Sequence, residues 1–340
     1  MSLHRLPSLF VAIAWLLGIG FTSAAHGQSS RLRIPKNVEF HGHQSAVELN
    51  AGPAKVYLAP GSGGRVLQFT FGNRKALYLD DADGHPEPGK PAMMSAGRFD
   101  YGPELVVMPH PTIWSGVWES ESTGPRSVRL MSPKDDQAGV QLRRDFELAE
   151  DGTPRLRCTQ TIINIGDKPQ ELCHWGRSFS PGGGIVLIPL GDRPSRFPAK
   201  YAMYEDSAII NVRNVDDRIR ERDGFIEVLG PPRKPKLGFD TYAGWLAYLL
   251  PDDTLFVKRF PTYPDRVYNE AAGLTLSVWY PGPKIELEPI GPRERLAPGE
   301  RATFTEDWWL LEFPFPKAGE SVDLKQLRKI VEEQTTAPPN

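Results

Sequence analysis

The chain has 340 residues, with 40 Lys and Arg against 42 Asp and Glu, a formal charge of −2. At 40% hydrophobic and 24% charged residues it has an ordinary globular composition, which excludes a disordered chain, a multi-span membrane protein and a basic nucleic-acid binder. Gly 32 and Pro 33 make 65 of 340 residues, about 19%, against roughly 12% in ordinary usage; turns that frequent favour short strands over long helices.

Residues 1–27 have the pattern of a secretory signal peptide. His4 and Arg5 make a weakly positive start, and Leu9 to Phe21 is an apolar run of 13 residues, too short to span a bilayer. Thr22 to Gly27 is rich in small residues, so cleavage after Ala25 or Gly27 satisfies the small-residue rule. That pattern implies an exported protein, periplasmic or extracellular, with no membrane attachment after cleavage; an uncleaved anchor is the alternative. Cleavage after Gly27 removes one base and no acid, leaving 39 against 42, and five histidines: His41, His43, His85, His110 and His174.

Residues 28–316 read as one domain, without a Ser/Gly linker, a repeat or a break in composition. Strand signals recur in chain order at Val66 to Phe71, Arg155 to Ile162, Ile185 to Leu190, Leu255 to Phe260, Leu274 to Trp279, Lys284 to Glu288 and Arg301 to Leu311. Residues 80–125 and 191–245 lack clear periodicity and read as long, functional insertions. Residues 317–340 hold the one helical pattern, Val322 to Glu333, with Leu324, Leu327, Ile330 and Val331 on one face, Ser321 as N-cap and a loose tail from Thr335 to Asn340. Closely spaced strands without alternating helices predict an all-β protein, a large antiparallel β-sandwich with a short C-terminal helix.

The two cysteines, Cys158 and Cys173, flank the turn candidate Asn164 to Asp167. If Ile163 pairs with Lys168, the two face each other across a hairpin. A cross-strand disulfide and two buried free thiols both stay open, since a one-residue slip parts the pair.

The order of several segments resembles the aldose-1-epimerase-like, or galactose mutarotase-like, superfamily. Gly63 to Phe69 followed by Ala76-Leu77-Tyr78 is similar to its opening hairpin. Thr161 to Pro169, then His174-Trp175-Gly176-Arg177-Ser178-Phe179, is similar to its central hairpin, which ends in a catalytic histidine. Leu287-Glu288 before a Gly-Pro turn resembles the strand with its catalytic glutamate, and Leu296 to Glu300 with Trp308-Trp309-Leu310 resembles its last hairpin. Trp175 with Pro181-Gly182-Gly183, and Glu286 to Pro292, resemble an uncharacterised secreted branch. The resemblance covers roughly 45–313 and implies the galactose mutarotase-like supersandwich.

Mutarotation opens a sugar hemiacetal and recloses it on the other face. A base takes the anomeric hydroxyl proton, and an acid protonates the ring oxygen as the bond breaks. The resemblance implies an aldose 1-epimerase-like isomerase with Glu288 as base and His174 as acid, no cofactor and no metal. It implies His110 and Arg98 as substrate-binding residues. Arg177 and the indoles Trp114 and Trp175 are further candidates for a mono- or oligosaccharide partner, since sugar C–H faces stack on aromatic rings. Each has a plain alternative. His174 beside Trp175 could be a packed core histidine, and His110 between prolines a structural loop residue. Glu288 shares a face with Glu286 that could be solvated, the arginines could be ordinary salt-bridge partners, and the tryptophans could be core. Cys173 stands where the family has Asn, and Gly176-Arg177-Ser178-Phe179 departs from its Tyr-Phe-Asn.

Other patterns carry less. His41-Gly42-His43 puts two imidazoles on one face of a strand, too few ligands for zinc without a third. Gly182-Gly183-Gly184 lacks the helix and Lys-Ser/Thr of a phosphate loop, and no Gly-x-Ser-x-Gly elbow occurs. Three functions remain: a sugar epimerase, a non-catalytic carbohydrate-binding protein on the same sandwich, and a partner-binding structural domain.

Overall fold

Alternation of side chains along each strand, inward then outward, sorts this chain into two antiparallel sheets. The computed structural model describes residues 35–85, 93–150, 152–206 and 209–335; the signal sequence expected at 1–27 and the tail beyond Thr335 lie outside the described residues. The larger sheet has 13 strands and the smaller 10. Their inner faces form one core, to which the larger sheet contributes Leu49, Phe69, Phe99 and Leu287 and the smaller Phe146, Leu156, Phe256 and Trp308. The sandwich expected from the strand pattern is the fold observed, and no described helix is long and apolar enough to cross a membrane.

Most strands fall where the pattern places them: Arg65–Phe71, Ile185–Pro189, Thr254–Arg259, Leu276–Trp279, Lys284–Pro289 and Arg301–Glu312. The central hairpin does not form. Arg155–Asn164 pairs with Val140–Leu148 and Arg301–Glu312 in the smaller sheet, whereas Gln170–Pro181 lies in the larger one beside Gly97–Gly102 and Lys284–Pro289. Buried Asn164 turns the corner. Its amide nitrogen donates to the carbonyls of Lys168 (2.8 Å) and Leu296 (2.9 Å), and its side-chain oxygen accepts from the Gly166 amide (2.9 Å). These bonds satisfy backbone groups that a hairpin ladder would have paired. Cys158 and Cys173 therefore occupy different sheets, and both are buried free thiols.

The segments without periodicity hold short pieces: the strand Gly97–Gly102, the helix Pro111–Ser115, and the strands Ala202–Tyr204, Phe225–Val228 and Lys236–Phe239. The C-terminal helix spans Leu324–Gln334 and is capped by Asp323, whose carboxylate accepts from the Gln326 amide (3.0 Å), rather than by Ser321. Leu324, Leu327 and Val331 pack with Trp245 and Trp309 on the outer face of the smaller sheet. His41 and Gly42 form a turn with positive φ (49° and 78°), so His41 and His43 do not share a strand face. His41 instead lies 2.8 Å from the Asp80 carbonyl, and His43 3.1 Å from the Asp83 carboxylate.

Two buried cations of the smaller sheet reach across the core to the larger. Arg144 donates to the carbonyls of Gly63 (2.5 Å), Gly64 (2.8 Å) and Phe99 (2.7 Å), with its guanidinium 4.2 Å from the Trp118 ring. Burial pulls its pKa down to about 9, although the charge of Asp100 opposes this. Lys258 pairs with Glu306 at 3.0 Å, both fully buried. Such groups persist inside a core only when their donors and charges are matched.

His174 also belongs to this inner face. Its neighbours Trp175 and Arg177 point out of the sandwich, so the alternation turns the imidazole inward. It stacks on Phe304 (5.6 Å between centroids), and Nε2 lies 3.2 Å from the Ala302 carbonyl. The expected acid is thus one register position away from the face that carries Glu288. Burial lowers its pKa to about 4 despite hydrogen bonds with the backbone of Ala302 and Gln160. A neutral imidazole here means that the unfolded chain, with a pKa near 6.5, takes up the proton first as pH falls. Stability is therefore lost from about pH 6.5 down to about 4, by roughly 3 kcal/mol at full extent. His174→Gln should flatten this loss in urea unfolding curves recorded across that range; an unchanged slope would show that His174 does not titrate as a core group.

Candidate active site on the outer face of the larger sheet

The alternation that turns His174 inward turns Trp175, Arg177 and Phe179 outward. Antiparallel register then sets their neighbours on that face. Arg177 lies opposite Arg98, Trp175 opposite Asp100, and Phe179 opposite Glu286. On the next strands Glu288 lies opposite Ser277, while Trp279 lies opposite both Glu286 and Lys236. Four strands thus bring two arginines, two glutamates, an aspartate and a lysine to one surface.

Two arginines directly across a strand pair repel unless an anion lies between them. Glu286 supplies it: its Oε1 accepts from Arg98 Nη2 (2.6 Å) and from Arg177 Nε (3.1 Å). Arg177 Nη1 also reaches Asp100 Oδ2 at 3.4 Å, and the other Asp100 oxygen lies 2.6 Å from His110 Nε2. His110 Nδ1 is 2.8 Å from the Met108 carbonyl. With an acceptor at each ring nitrogen, the imidazolium form satisfies both. Burial alone would depress the His110 pKa, but the hydrogen bond and charge of Asp100, with the Met108 carbonyl, outweigh it and raise the value. A connected chain results: His110, Asp100, Arg177, Glu286 and Arg98.

The two glutamates are pushed in opposite directions. Burial works against ionisation of Glu286, but the charges of Arg177 and Arg98 override it and hold its carboxyl well below the usual range. Glu288 is 1% exposed. Burial and then the negative charge of Glu286 drive its carboxyl well above the usual range, with Lys236 and Arg177 opposing. Neither Glu288 oxygen accepts from a donor group, and the neighbour within reach is the Glu286 carboxyl. The two carboxyls are accordingly driven apart, Glu286 toward the ionised form and Glu288 toward the protonated one.

Aromatic rings wall the cluster. The Arg98 guanidinium lies 4.9 Å from the Trp114 ring and 4.3 Å from Phe179; that of Arg177 lies 5.2 Å from Trp114 and 4.2 Å from Trp175. Stacking of this kind fixes the planes of both guanidiniums. Lys236 Nζ sits 5.3 Å from the Trp175 ring and 5.0 Å from Tyr204, and pairs with Glu104 at 2.6 Å. Burial would lower its pKa, yet Glu288 and Glu104 raise it. Arg98, Arg177, Lys236 and Trp114 keep partial exposure. Chemically the surface offers fixed cationic donors, the paired carboxylates Glu286 and Asp100, the raised carboxyl of Glu288 and flat apolar rings.

Of the residues singled out in the sequence, Glu288, Arg98, Arg177, His110, Trp114 and Trp175 belong to this cluster, and His174 does not. Asp100, Lys236 and Tyr204 are members that the sequence does not single out, and Glu286, expected only as a face-mate of Glu288, is a full member. Two had a signal: Asp100 lies two residues from Arg98, and Glu286 two from Glu288, the spacing that shares a strand face. Lys236 and Tyr204 lie in the segment without periodicity and had none. Among the described residues, no group of three or more His, Cys, Asp or Glu is placed to hold a metal ion. A separate cavity of about 360 Å³ lies beside Phe197, Lys200 and Asp240. The Asp240 carboxylate there is already committed to the Ser195 hydroxyl (2.5 Å) and the Arg196 amide (2.7 Å).

No family model matches the chain, and no curated protein matches it. Solved structures do. A galactose mutarotase-like protein from Lactobacillus casei ATCC 334 superposes with a TM-score of 0.55 at 11% identity, over 78% of this chain and 100% of that one. A proposed aldose 1-epimerase from Escherichia coli K12 gives a TM-score of 0.54 at 13% identity, over 79% and 99%. A galactose mutarotase-like protein from Clostridium acetobutylicum gives 0.51 at 11% identity, over 82% and 98%. Two sheets in the same arrangement over nearly the whole of each relative, at identities this low, establish architecture: the chain has the galactose mutarotase-like fold.

Proposed function

We propose that this protein is an exported carbohydrate-active protein whose outer-face cluster performs acid/base ring opening on a sugar, in the manner of an aldose 1-epimerase. The observation that carries the reading is the pair Glu286 and Glu288, adjacent carboxyls with pKa values driven apart by two arginines on one and burial on the other. Such splitting is how a site obtains a proton-transferring carboxyl near neutral pH. Glu288 exchanges the proton of the anomeric hydroxyl. His110, held as imidazolium by Asp100, takes the acid role in place of His174: it exchanges its bond to the Met108 carbonyl for one to the ring oxygen, and its proton suits that donation better than that of Lys236 or an arginine. Trp114 and Trp175 offer stacking faces, and Arg98, Arg177 and Lys236 donate to hydroxyls. The fold-sharing proteins with epimerase or mutarotase in their names are consistent with a saccharide partner.

Polarimetry and NMR exchange on a panel of aldoses test this. Wild type should accelerate anomer equilibration of at least one sugar. Glu288→Gln should reduce that rate about 100-fold or more while saccharide affinity persists; a variant with the wild-type rate removes Glu288 from the chemistry.

A pH-rate profile tests the carboxyl pair separately. Glu288 acts as a base only once deprotonated, so the rate rises with pH along an alkaline-shifted acid limb. Glu286→Gln deletes the neighbouring charge that raises Glu288, so that limb should move to lower pH. A limb that stays in place would mean that the two carboxyls do not share a proton.

A second reading, a non-catalytic carbohydrate-binding protein, is favoured by one observation, the 1% exposure of Glu288. It expects saccharide binding that survives Glu288→Gln and no rate enhancement by wild type. Export is tested by mass spectrometry of the secreted chain, which should begin at residue 26 or 28.

A further inference from the structure

We infer that Lys258 and Glu306 form a clamp inside the sandwich that positions Arg177 against Glu286 and Glu288 from beneath, which makes Lys258 a positioning residue of the proposed saccharide site. The inference rests on that functional reading, but its geometry stands apart from it. Lys258 lies on the inner face of the smaller sheet and is fully buried. Its ammonium makes three contacts at 3.0 Å: Glu306 Oε2, the Ser178 hydroxyl and the Leu287 carbonyl. Ser178 and Leu287 are directly paired across the two strands that build the site. The residue before Ser178 is Arg177, and the residues flanking Leu287 are Glu286 and Glu288. One ammonium thus ties the two strands together at the single register position whose chain neighbours are the charged groups on the other face.

The surroundings are shaped for this pair. The Glu306 carboxylate also accepts from Trp308 Nε1 (2.8 Å) and packs against Gly176. A Cβ at residue 176 would lie 2.1 Å from Glu306 Oε1, so any side chain there would evict the carboxylate. Gly176, Arg177 and Ser178 therefore each have a place: room for the clamp's anion, a charged group in the site, and a strut for the clamp's cation. The Cys158 thiol lies in the same pocket, held protonated by burial and by Glu306. An apolar pair of similar volume would serve the core as well as this ion pair does. It could not, however, donate to the Leu287 carbonyl or fix its peptide plane.

The test uses the full chain labelled with ¹³C-carboxyl glutamate, and compares wild type with Lys258→Met/Glu306→Gln. The double variant keeps side-chain volume, leaves no orphan charge and retains an acceptor for Trp308. Carboxyl NMR titration should show a cooperatively folded protein in which the Glu286 and Glu288 titrations move toward each other by about one pH unit. Sugar exchange, where wild type catalyses it, should lose about ten-fold in kcat with little change in KM. A folded double variant with wild-type titrations overturns the clamp. If the double variant does not fold, Ser178→Ala removes one strut without leaving a charge, and its titration shift, present or absent, decides the question. If wild type shows no sugar exchange, the functional reading fails while the titration still judges the clamp.

Discussion

The site depends on a constraint that lies below it: cations of the smaller sheet satisfy backbone carbonyls of the larger one. Arg144 donates to the Phe99 carbonyl, between Arg98 and Asp100, and Lys258 donates to the Leu287 carbonyl, between Glu286 and Glu288. A β-strand has its own ladder of hydrogen bonds, and a carbonyl has two lone pairs. Each of these two carbonyls binds the opposing layer at the residue between two charged side chains. Side chains two residues apart then project to the outer face from peptide planes that cannot rock independently, and a site of salt-bridged groups needs that rigidity.

On the outer face the governing term is charge balance in a poorly solvated place. Arg98 and Arg177 are opposed across strands and would repel, so Glu286 is held ionised between them. Once Glu286 is ionised, a second full charge on Glu288 is unfavourable, since two buried carboxylates side by side cannot both lose their protons cheaply. Asp100 does for His110 the reverse of what Glu286 does for Glu288. It stabilises the charged form of its neighbour, and so keeps a proton on the imidazole. The network therefore places at its two ends a carboxyl whose proton is weakly acidic and an imidazole whose proton is retained; acid/base chemistry on a hemiacetal needs the first in its ionised form to take a proton and the second to give one.

The fold was legible because period-two patterning survives wherever one face of a strand meets the core and the other does not. It failed at Gln170–Pro181. There Leu172, Cys173, His174, Trp175, Gly176, Ser178, Phe179 and Ser180 are all buried, so apolar and polar residues no longer alternate by face. Nothing in Leu172 to Phe179 tells which set points outward, and the histidine that the resemblance implies as the acid points into the core. The glutamates were legible for the opposite reason: Glu286-Leu287-Glu288 keeps strict alternation, with Leu287 in the core. The hairpin at 164–169 failed because turn residues report that the chain reverses, not whether it returns to the same sheet. Lys258 had a signal that went unused, a lone charge in Leu255 to Phe260 at the parity of Phe256 and Phe260, which are core.

That last case bears on how the molecule divides its labour. Charges placed at core parity, Arg144, Lys258 and Glu306, cost solvation, and each is offset here by hydrogen bonds or a charge partner. In this sandwich they meet the larger sheet at the strands of the site, beneath Arg98, Arg177 and Glu288. Apolar packing alone gives two sheets freedom to slide by small amounts, because dispersion contacts are non-directional and interchangeable. Directional donors at Phe99 and Leu287 remove that freedom where the outer-face charges must keep their distances. The same parity rule that exposes a surface carboxylate thus also identifies, from inside, the groups that hold it in place.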